Sequence, residues 1–411
     1  MTVAAFDPST WLQWTLWLSM TLLAVPSLFA ASYLLGLTLF SRAPEEMASA
    51  PNTGAKLRFD IIVPAHDEEA GITGVVDNLL ALDWPRDQFR IIVVADNCSD
   101  GTAEYARQAG ALVLERHNPE LRGKGYALVR GFSVSLAQHF ADVAVVVDAD
   151  SRASRNLLRV FAERTAAGAM AAQVFHGVLN PDSSPRHRLM TIAYSAFHRV
   201  RSRGRENLGL SCGIRGNGWC VSHDALRRVT YAAHGLAEDI EYGLRLGLAG
   251  IRVEYIDEAQ VLSSMDTDAN GVASQRNRWE QGRSSLPQAF TRVLLAPSPP
   301  TTRAIRWDLG LDLLVPPLAT IGLAVVLLCA VSYAGLLALP GSLVPIAFLF
   351  VAMLASAAIG LHVTRGWQLS GTGSRGLLDL ASAPRFALWK LMLRCRPGQN
   401  AAWVRTRRIA S

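Results

Sequence analysis

Two stretches without a single Lys, Arg, Asp or Glu constrain this chain more than anything else in it: residues 8–41 and 313–361, 34 and 49 residues long. Each exceeds the roughly 20 residues with which an α-helix crosses about 30 Å of hydrocarbon. A wholly water-soluble fold is excluded. Residues 11–40 read as one tilted or kinked span, because 34 uncharged residues are barely enough for two crossings. Pro26 lies midway, and Trp11, Trp14 and Trp17 sit where an aromatic belt forms. The stretch is too long for a signal-peptide core, and no small-residue cleavage pattern follows it. The second stretch divides at Pro340 and Gly341, a turn pair, into spans of residues 313–336 and 344–361.

The net charge of +6 has the sign of a nucleic-acid binder until it is located. Residues 364–411 hold nine Lys or Arg against one Asp, so the other residues together are slightly acidic. A basic tail directly after a membrane span reads as cytoplasmic and lipid-facing, and it lacks any DNA-binding pattern; no nucleic-acid partner is expected. Arg42, Arg303, Arg306 and Arg365 flank the spans. The positive-inside rule then predicts a multi-pass protein of the inner (cytoplasmic) membrane, with its middle domain and C-terminus in the cytoplasm. Residues 385–393 mix Arg and Lys with Phe386, Leu388, Trp389 and Leu391, which suits a helix lying in the interface or, alternatively, one packed on the soluble domain. The five cysteines show no metal-ligand spacing, pointing to a reducing compartment without zinc.

Between the spans the pattern is α/β. Residues 59–64, 90–95, 111–114 and 143–147 are short apolar runs, separated by segments of helical spacing such as 72–82 and 126–140. Strands alternating with helices imply a mostly parallel sheet covered on both faces, with its ligand site beyond the C-terminal strand ends. Three of these strands end in polar or acidic residues: 66–69, 96–100, and the pair Asp148 and Asp150.

Carboxylates gathered at one sheet edge repel one another unless a cation or a polyhydroxyl ligand is present. Asp148 and Asp150 flank the small Ala149, so a bend turns both toward one ion; hard oxygen ligands suit Mg2+ or Mn2+. The bland alternative is a solvated strand-to-loop turn. Asp96 stands where a nucleoside would be held, although the residues after it also suit a turn and helix N-cap. Gly123 and Gly125 around Lys124 permit close backbone approach beside a cation. Neither the dinucleotide GxGxxG nor the Walker pattern occurs, which disfavours a Rossmann dehydrogenase and a P-loop ATPase. Glu238 and Asp239 open a helix, where acids also complement the helix dipole. Gln275, Arg278 and Trp279 share one helix face at i, i+3 and i+4 and offer an amide, a guanidinium fork for phosphate and a flat ring for a sugar.

In order, VPAHDEE, VADNCSD, GKGYAL, DAD, GNGW, ED and QRNRW over about residues 57–285 resemble the membrane-bound family 2 glycosyltransferases, the group containing cellulose, hyaluronan and chitin-oligosaccharide synthases. The resemblance implies a GT-A-type α/β domain with about three transmembrane helices and a C-terminal interfacial helix. Its organisation would be an N-terminal transmembrane helix in 1–41, a cytoplasmic catalytic domain in 57–300, two transmembrane helices in 309–363, and a basic tail in 364–411. It also implies roles. Asp96 would hold uridine and ribose with Lys124 nearby, Asp148 and Asp150 the diphosphate metal, and Asp239 would be the catalytic base with Glu238 beside it. Gln275 and Arg278 would cap the diphosphate, and Trp279 would stack on the acceptor sugar. Two departures stand out: Asp67 where the family more often has Asn, and Ala237 where the synthases often have Thr.

The chemistry agrees. An acceptor hydroxyl attacking an anomeric carbon needs a base, and a leaving nucleoside diphosphate needs its charge neutralised. The first expectation is therefore an inverting, metal-dependent enzyme that moves a sugar from a UDP-sugar to a growing polysaccharide, with an oligomer or export partner supplying further helices. The alternative is transfer of a single sugar to a membrane lipid. An inactive scaffold using the same fold is the non-enzymatic alternative, against which the intact motif set argues.

Overall fold

The computed structural model describes residues 8–43, 57–235, 237–264 and 286–385. Its centre is one eight-stranded sheet of order β3-β2-β1-β4-β7-β6-β8-β5. The strands are β1 (Phe59–Ala65), β2 (Phe89–Asp96), β3 (Leu112–Arg116), β4 (Val143–Val146), β5 (Ser151–Ala153), β6 (Ala171–Val178), β7 (Trp219–Ser222) and β8 (Val253–Ser263). The first four correspond to the apolar runs of the sequence and pair in parallel. The other half is mixed: β7 runs antiparallel to β4 and β6, β5 antiparallel to β8, and β6 parallel to β8.

The strand interiors are apolar on both faces because both faces are covered. Ile61, Val63, Val93 and Val145 meet Ile72, Val76 and Leu79 of the Ile72–Leu80 helix and Leu158 and Phe161 of the Leu157–Ala166 helix. Alternate residues Ile62, Ile92, Val94 and Val146 face the other way, against Leu128 and Phe132 of the Lys124–Gln138 helix and Tyr242 of the Glu238–Leu248 helix. Register places Ala65 opposite Ala95 and Phe59 opposite Val143, so β1, β2 and β4 all deliver their C-terminal ends to one edge.

Among the described residues, three helices are long and apolar enough to cross a membrane: Thr10–Leu39, Leu318–Ala338 and Val344–Ser370. They pack on one another around Met20, Ala24, Ala31, Val325, Leu328, Ala352 and Ala355. The first is continuous through Pro26. The second begins at Leu318, five residues after the charge-free stretch starts, because Pro317 begins a new helix and Leu313 closes into the amphipathic Pro300–Leu314 helix. The third runs past Leu361 to Ser370, carrying Arg365 inside it. Residues 386–393, most of the expected interfacial helix, lie outside the described residues.

Buried ion pairs hold the Arg201–Asn207 helix and Arg215 of the sheet domain to the Pro300–Leu314 helix, and Tyr33 joins the first membrane helix to the same cluster. Arg205 reaches Asp308 at 2.7 Å and Asp312 at 2.9 Å, and the Tyr33 hydroxyl of the first membrane helix donates to Asp308 at 2.7 Å. Arg201 also pairs with Asp312, and Arg215 lies 3.6 Å from it. A single π-helical turn, Ser195–Val200, introduces the arginine-bearing segment.

Candidate active site

The shared edge is shaped first by its turns. Asp67, after β1, and Asn97, after β2, both take a left-handed backbone, with φ of 52° and 53°, which Asp and Asn tolerate better than most residues. The Asp67 carboxylate accepts from the Ser99 backbone N–H at 2.7 Å, so it fastens the β2 turn. The His66 ring bridges the same turns, with Nδ1 2.6 Å from the Asp96 carbonyl. Asp67, Cys98 and Asp100 place three potential ligand atoms within 4.8 Å of one another. Within the turns, Asp100 accepts from the Thr102 backbone N–H at 3.0 Å and from the Glu69 backbone N–H at 3.2 Å.

Asp96 is buried and pairs with Arg116 of β3, whose guanidinium lies 5.4 Å from the Tyr126 ring centre. Tyr126 in turn stacks on His234 at 4.2 Å. These contacts form a chain of polar and aromatic side chains at the end of β2. Arg116, Tyr126 and His234 are not apparent as partners of Asp96 in the sequence, since they come from 20 to 138 positions away.

Lys124 begins its helix where Gly125 packs against the Ala233 backbone; a Cβ on Gly125 would lie 2.2 Å from the Ala233 carbonyl oxygen. This close packing sets the position of Lys124. Its ammonium donates to the Gly216 carbonyl at 2.7 Å and contacts Asp148 Oδ1 at 2.9 Å and Asp239 Oδ2 at 3.1 Å. Lys124, Asp148 and Asp239, spread over 115 positions of the chain, thus meet at one point. The structure brings Lys124 between the expected metal carboxylate and the expected base, as well as near the nucleotide edge.

Asp239 and Glu238 are buried. Burial pushes the Asp239 carboxyl well above the usual carboxylate range; Lys124 opposes this, while Glu238 and Asp148 reinforce it. Glu238 is raised by burial too, again against Lys124. Burial acts to lower Lys124, but Asp148, Asp239 and Glu238 outweigh it and keep the ammonium charged. Oδ1 of Asp239 is buried and accepts no hydrogen bond among the described residues.

Asp148 and Asp150 follow β4 on either side of buried Ala149. Asn217 accepts from the Asp148 backbone N–H at 3.0 Å, and Ser151 donates to Asp150 at 2.8 Å. Behind them Asn217 donates to Ser151 at 2.7 Å and to Ser263 at 3.2 Å, and His176 lies 3.0 Å from Ser263. Ser151 holds the Asp150 carboxylate and Lys124 contacts that of Asp148, and two carboxylates one residue apart offer oxygen donors of the kind that suits a hard divalent cation. Gly216 has a φ of 98°, and a Cβ there would lie 3.9 Å from Asp239 Oδ2 and 4.0 Å from His176 Nδ1. The GNGW segment was visible in the sequence; His176 carried no signal beyond being a histidine. Gln275, Arg278 and Trp279 lie outside the described residues.

Residues 57–282 match the family described as Glycosyltransferase like family 2. The chain belongs to this family. Beta-monoglucosyldiacylglycerol synthase of Synechocystis sp. is 27% identical over 317 residues, covering 74% of this chain and 61% of the relative. The cellulose synthase catalytic subunit of Komagataeibacter sucrofermentans is 23% identical over 294 residues, covering 67% of this chain and 37% of the relative. The chain therefore spans less than two thirds of either relative's length. A mannosyltransferase from Pyrobaculum calidifontis, solved with GDP-Man and Mn2+, shares the fold with a TM-score of 0.54 at 18% identity, covering 90% of this chain and 99% of that one. The sheet with its polar edge is thus the GT-A-like core of a family 2 glycosyltransferase, joined to three candidate membrane helices.

Proposed function

We propose that this family 2 glycosyltransferase moves one hexose from a UDP-sugar, with inversion, to a lipid acceptor in the inner membrane, its catalytic domain facing the cytoplasm. The observation that carries the catalytic part is the convergence of Asp148 and Asp239 on Lys124, at 2.9 and 3.1 Å, on the sheet edge that also carries Asp96. Asp96, with Arg116 behind it, holds uridine and ribose. Asp148 and Asp150 would hold Mg2+ or Mn2+. Such an ion would supply charge neutralisation for the leaving diphosphate. Gln275 and Arg278 are assigned to that diphosphate and Trp279 to the acceptor.

Asp239 takes the proton from the acceptor hydroxyl as that oxygen bonds to the anomeric carbon. The bond from that carbon to the diphosphate oxygen breaks, and UDP leaves with the electron pair. One displacement inverts the centre, and no carboxylate is needed as a covalent nucleophile. Burial raises the proton affinity of Asp239 and so strengthens it as a base, while Lys124 acts in the opposite direction, toward the anion. Glu238 adds negative charge at its side.

The lipid acceptor is favoured by the membrane part. The three helices fill their own centre with Met20, Ala24, Leu328 and Ala355. Beta-monoglucosyldiacylglycerol synthase also aligns over more of the chain than the cellulose synthase subunit does. Extension of a polysaccharide is the second reading, favoured by the QRNRW segment of the ordered motif series, and it would require an oligomer or export partner. The test is incubation of the full chain in proteoliposomes with labelled UDP- and GDP-sugars. A lipid-extractable monoglycoside from one UDP-sugar supports the proposal. A polymer overturns the acceptor, GDP-sugar preference overturns the donor, and no transfer from any donor overturns the activity.

A further inference from the structure

At the ends of the first and third membrane helices that adjoin the catalytic domain, Ser41, Arg42, Thr364 and Arg365 line a cavity of about 280 Å³, with Leu39 and Leu361 at its apolar side. Asn207 of the domain donates to the Phe40 and Arg42 carbonyls at 2.8 and 3.2 Å, which places this end beside the sheet domain. The Arg365 guanidinium donates to the Ser41 hydroxyl at 3.2 Å, the Ser41 carbonyl at 3.0 Å and the Gln368 amide oxygen at 3.1 Å. All three acceptors are neutral.

The neighbouring arginines of the same junction differ. Arg188 pairs with Asp379, Arg199 and Arg203 with Asp257, and Arg201 and Arg205 with Asp312 and Asp308. No carboxylate lies within ion-pairing distance of Arg42 or Arg365 among the described residues. Two cations without a carboxylate partner among the described residues share one cavity at the depth where a helix leaves hydrocarbon, while Leu39 is 67% exposed and Leu361 45% exposed beside them. A guanidinium fork suits a phosphodiester, and basic pockets between membrane helices suit anionic headgroups.

We propose that this cavity binds the phosphate of an anionic glycerophospholipid, held by Arg42 and Arg365, with its acyl chains against Leu39 and Leu361. Soluble phosphate esters share the headgroup chemistry, but the apolar side fits a ligand that brings hydrocarbon. The site is separate from the donor pocket and does not depend on which acceptor is used.

The test uses the full chain purified in detergent and titrated with short-chain phosphatidylglycerol, phosphatidylcholine and glycerol 3-phosphate, with bound ligand read by native mass spectrometry. Phosphatidylglycerol should bind at least about fivefold more tightly than phosphatidylcholine, the effect of one basic residue near a membrane surface. Arg42→Gln should weaken it by about fivefold and Arg42→Lys by less. The Arg42 side chain is exposed and makes no hydrogen bond to the described residues, so this variant should keep the fold, whereas Arg365 also fastens Ser41. Arg375→Gln, an exposed arginine on the Gly373–Asp379 helix, should leave binding unchanged. Equal binding of the two lipids, or unchanged binding in Arg42→Gln, overturns the proposal. Glycerol 3-phosphate binding as tightly as phosphatidylglycerol overturns the lipid assignment.

Discussion

At the active site one ammonium, Lys124, faces the carboxylates of Asp148, Asp239 and Glu238; at the membrane junction three guanidiniums, Arg201, Arg205 and Arg215, face those of Asp308 and Asp312. Both clusters are largely buried, yet they are built from different cations. The junction uses planar forks, which are weakly hydrated and match carboxylates in fixed directions. The active site uses a point charge on a flexible stem, and its carboxylates outnumber it. An excess of buried negative charge raises the proton affinity of Asp239 and Glu238 and leaves the site suited to a cation and a proton transfer. The junction has no such excess, and its charges tie one sheet domain to the membrane helices.

The strongest way to break this contrast is at Asp148 or Asp150. Asp148→Ala and Asp150→Ala should each leave no measurable transfer in a protein that still folds and inserts, and binding of Mn2+ in the presence of UDP should be lost in calorimetry. Normal transfer by both variants, or undiminished activity after exhaustive chelation, removes the metal from the reading.

Next comes Asp239→Asn, which keeps size and hydrogen bonding but not basicity. Turnover should fall by at least about 10²-fold, while UDP affinity changes little. The same variant tests the cost of the buried charge. Because the folded carboxyl holds its proton more tightly than the unfolded one, the native state binds more protons between those two pKa values, and stability falls as pH rises through that window. Asp239→Asn should therefore melt above the parent near neutral pH. The gap should close as pH falls toward the ordinary aspartate value of about 3.9. A variant that melts below the parent at every pH would show that the Lys124 contact outweighs burial.

At the junction, Asp312→Asn should cost about 3 kcal/mol of stability, because Arg205 is fully buried and would lose a charged partner. Turnover per folded molecule should stay within about threefold of the parent, since ~0.6 kcal/mol separates that from no effect. A large loss of turnover at unchanged stability would place the junction in the reaction and erase the distinction between the two clusters.

The parts legible in the sequence were those where one local pattern suffices. β1, β2 and β4 are mostly apolar and have an acid at or just beyond their ends, Asp67, Asp96 and Asp148, so both the strands and the polar edge could be read from them. β5 has only three residues, and β6 and β8 carry a register shift between Val174 and Phe175, so neither length nor alternation marks them. Arg116, Asn217 and His176 join the site through topology, which no local window contains. The start of the second membrane helix was misread because Leu313 and Leu314 continue the apolar run while belonging to the preceding helix.

The smallest effect is expected at Asp67, the position where the family more often has Asn. In the fold its Oδ1 accepts from the Ser99 backbone N–H at 2.7 Å and from the Ser99 hydroxyl at 3.2 Å, so its work is to hold the turn after β2. An asparagine amide oxygen accepts the same bonds, and asparagine tolerates the 52° φ of this position. Asp67→Asn should therefore change the KM for the UDP-sugar and kcat by no more than about twofold, under ~0.5 kcal/mol. Asp67→Ala removes the acceptor and should loosen the turn, raising KM with kcat nearly unchanged. A tenfold shift in donor KM for Asp67→Asn would mean that charge at Asp67, and not its hydrogen bond, reaches the nucleotide, and would extend the carboxylate-rich cluster from β4 to the end of β1.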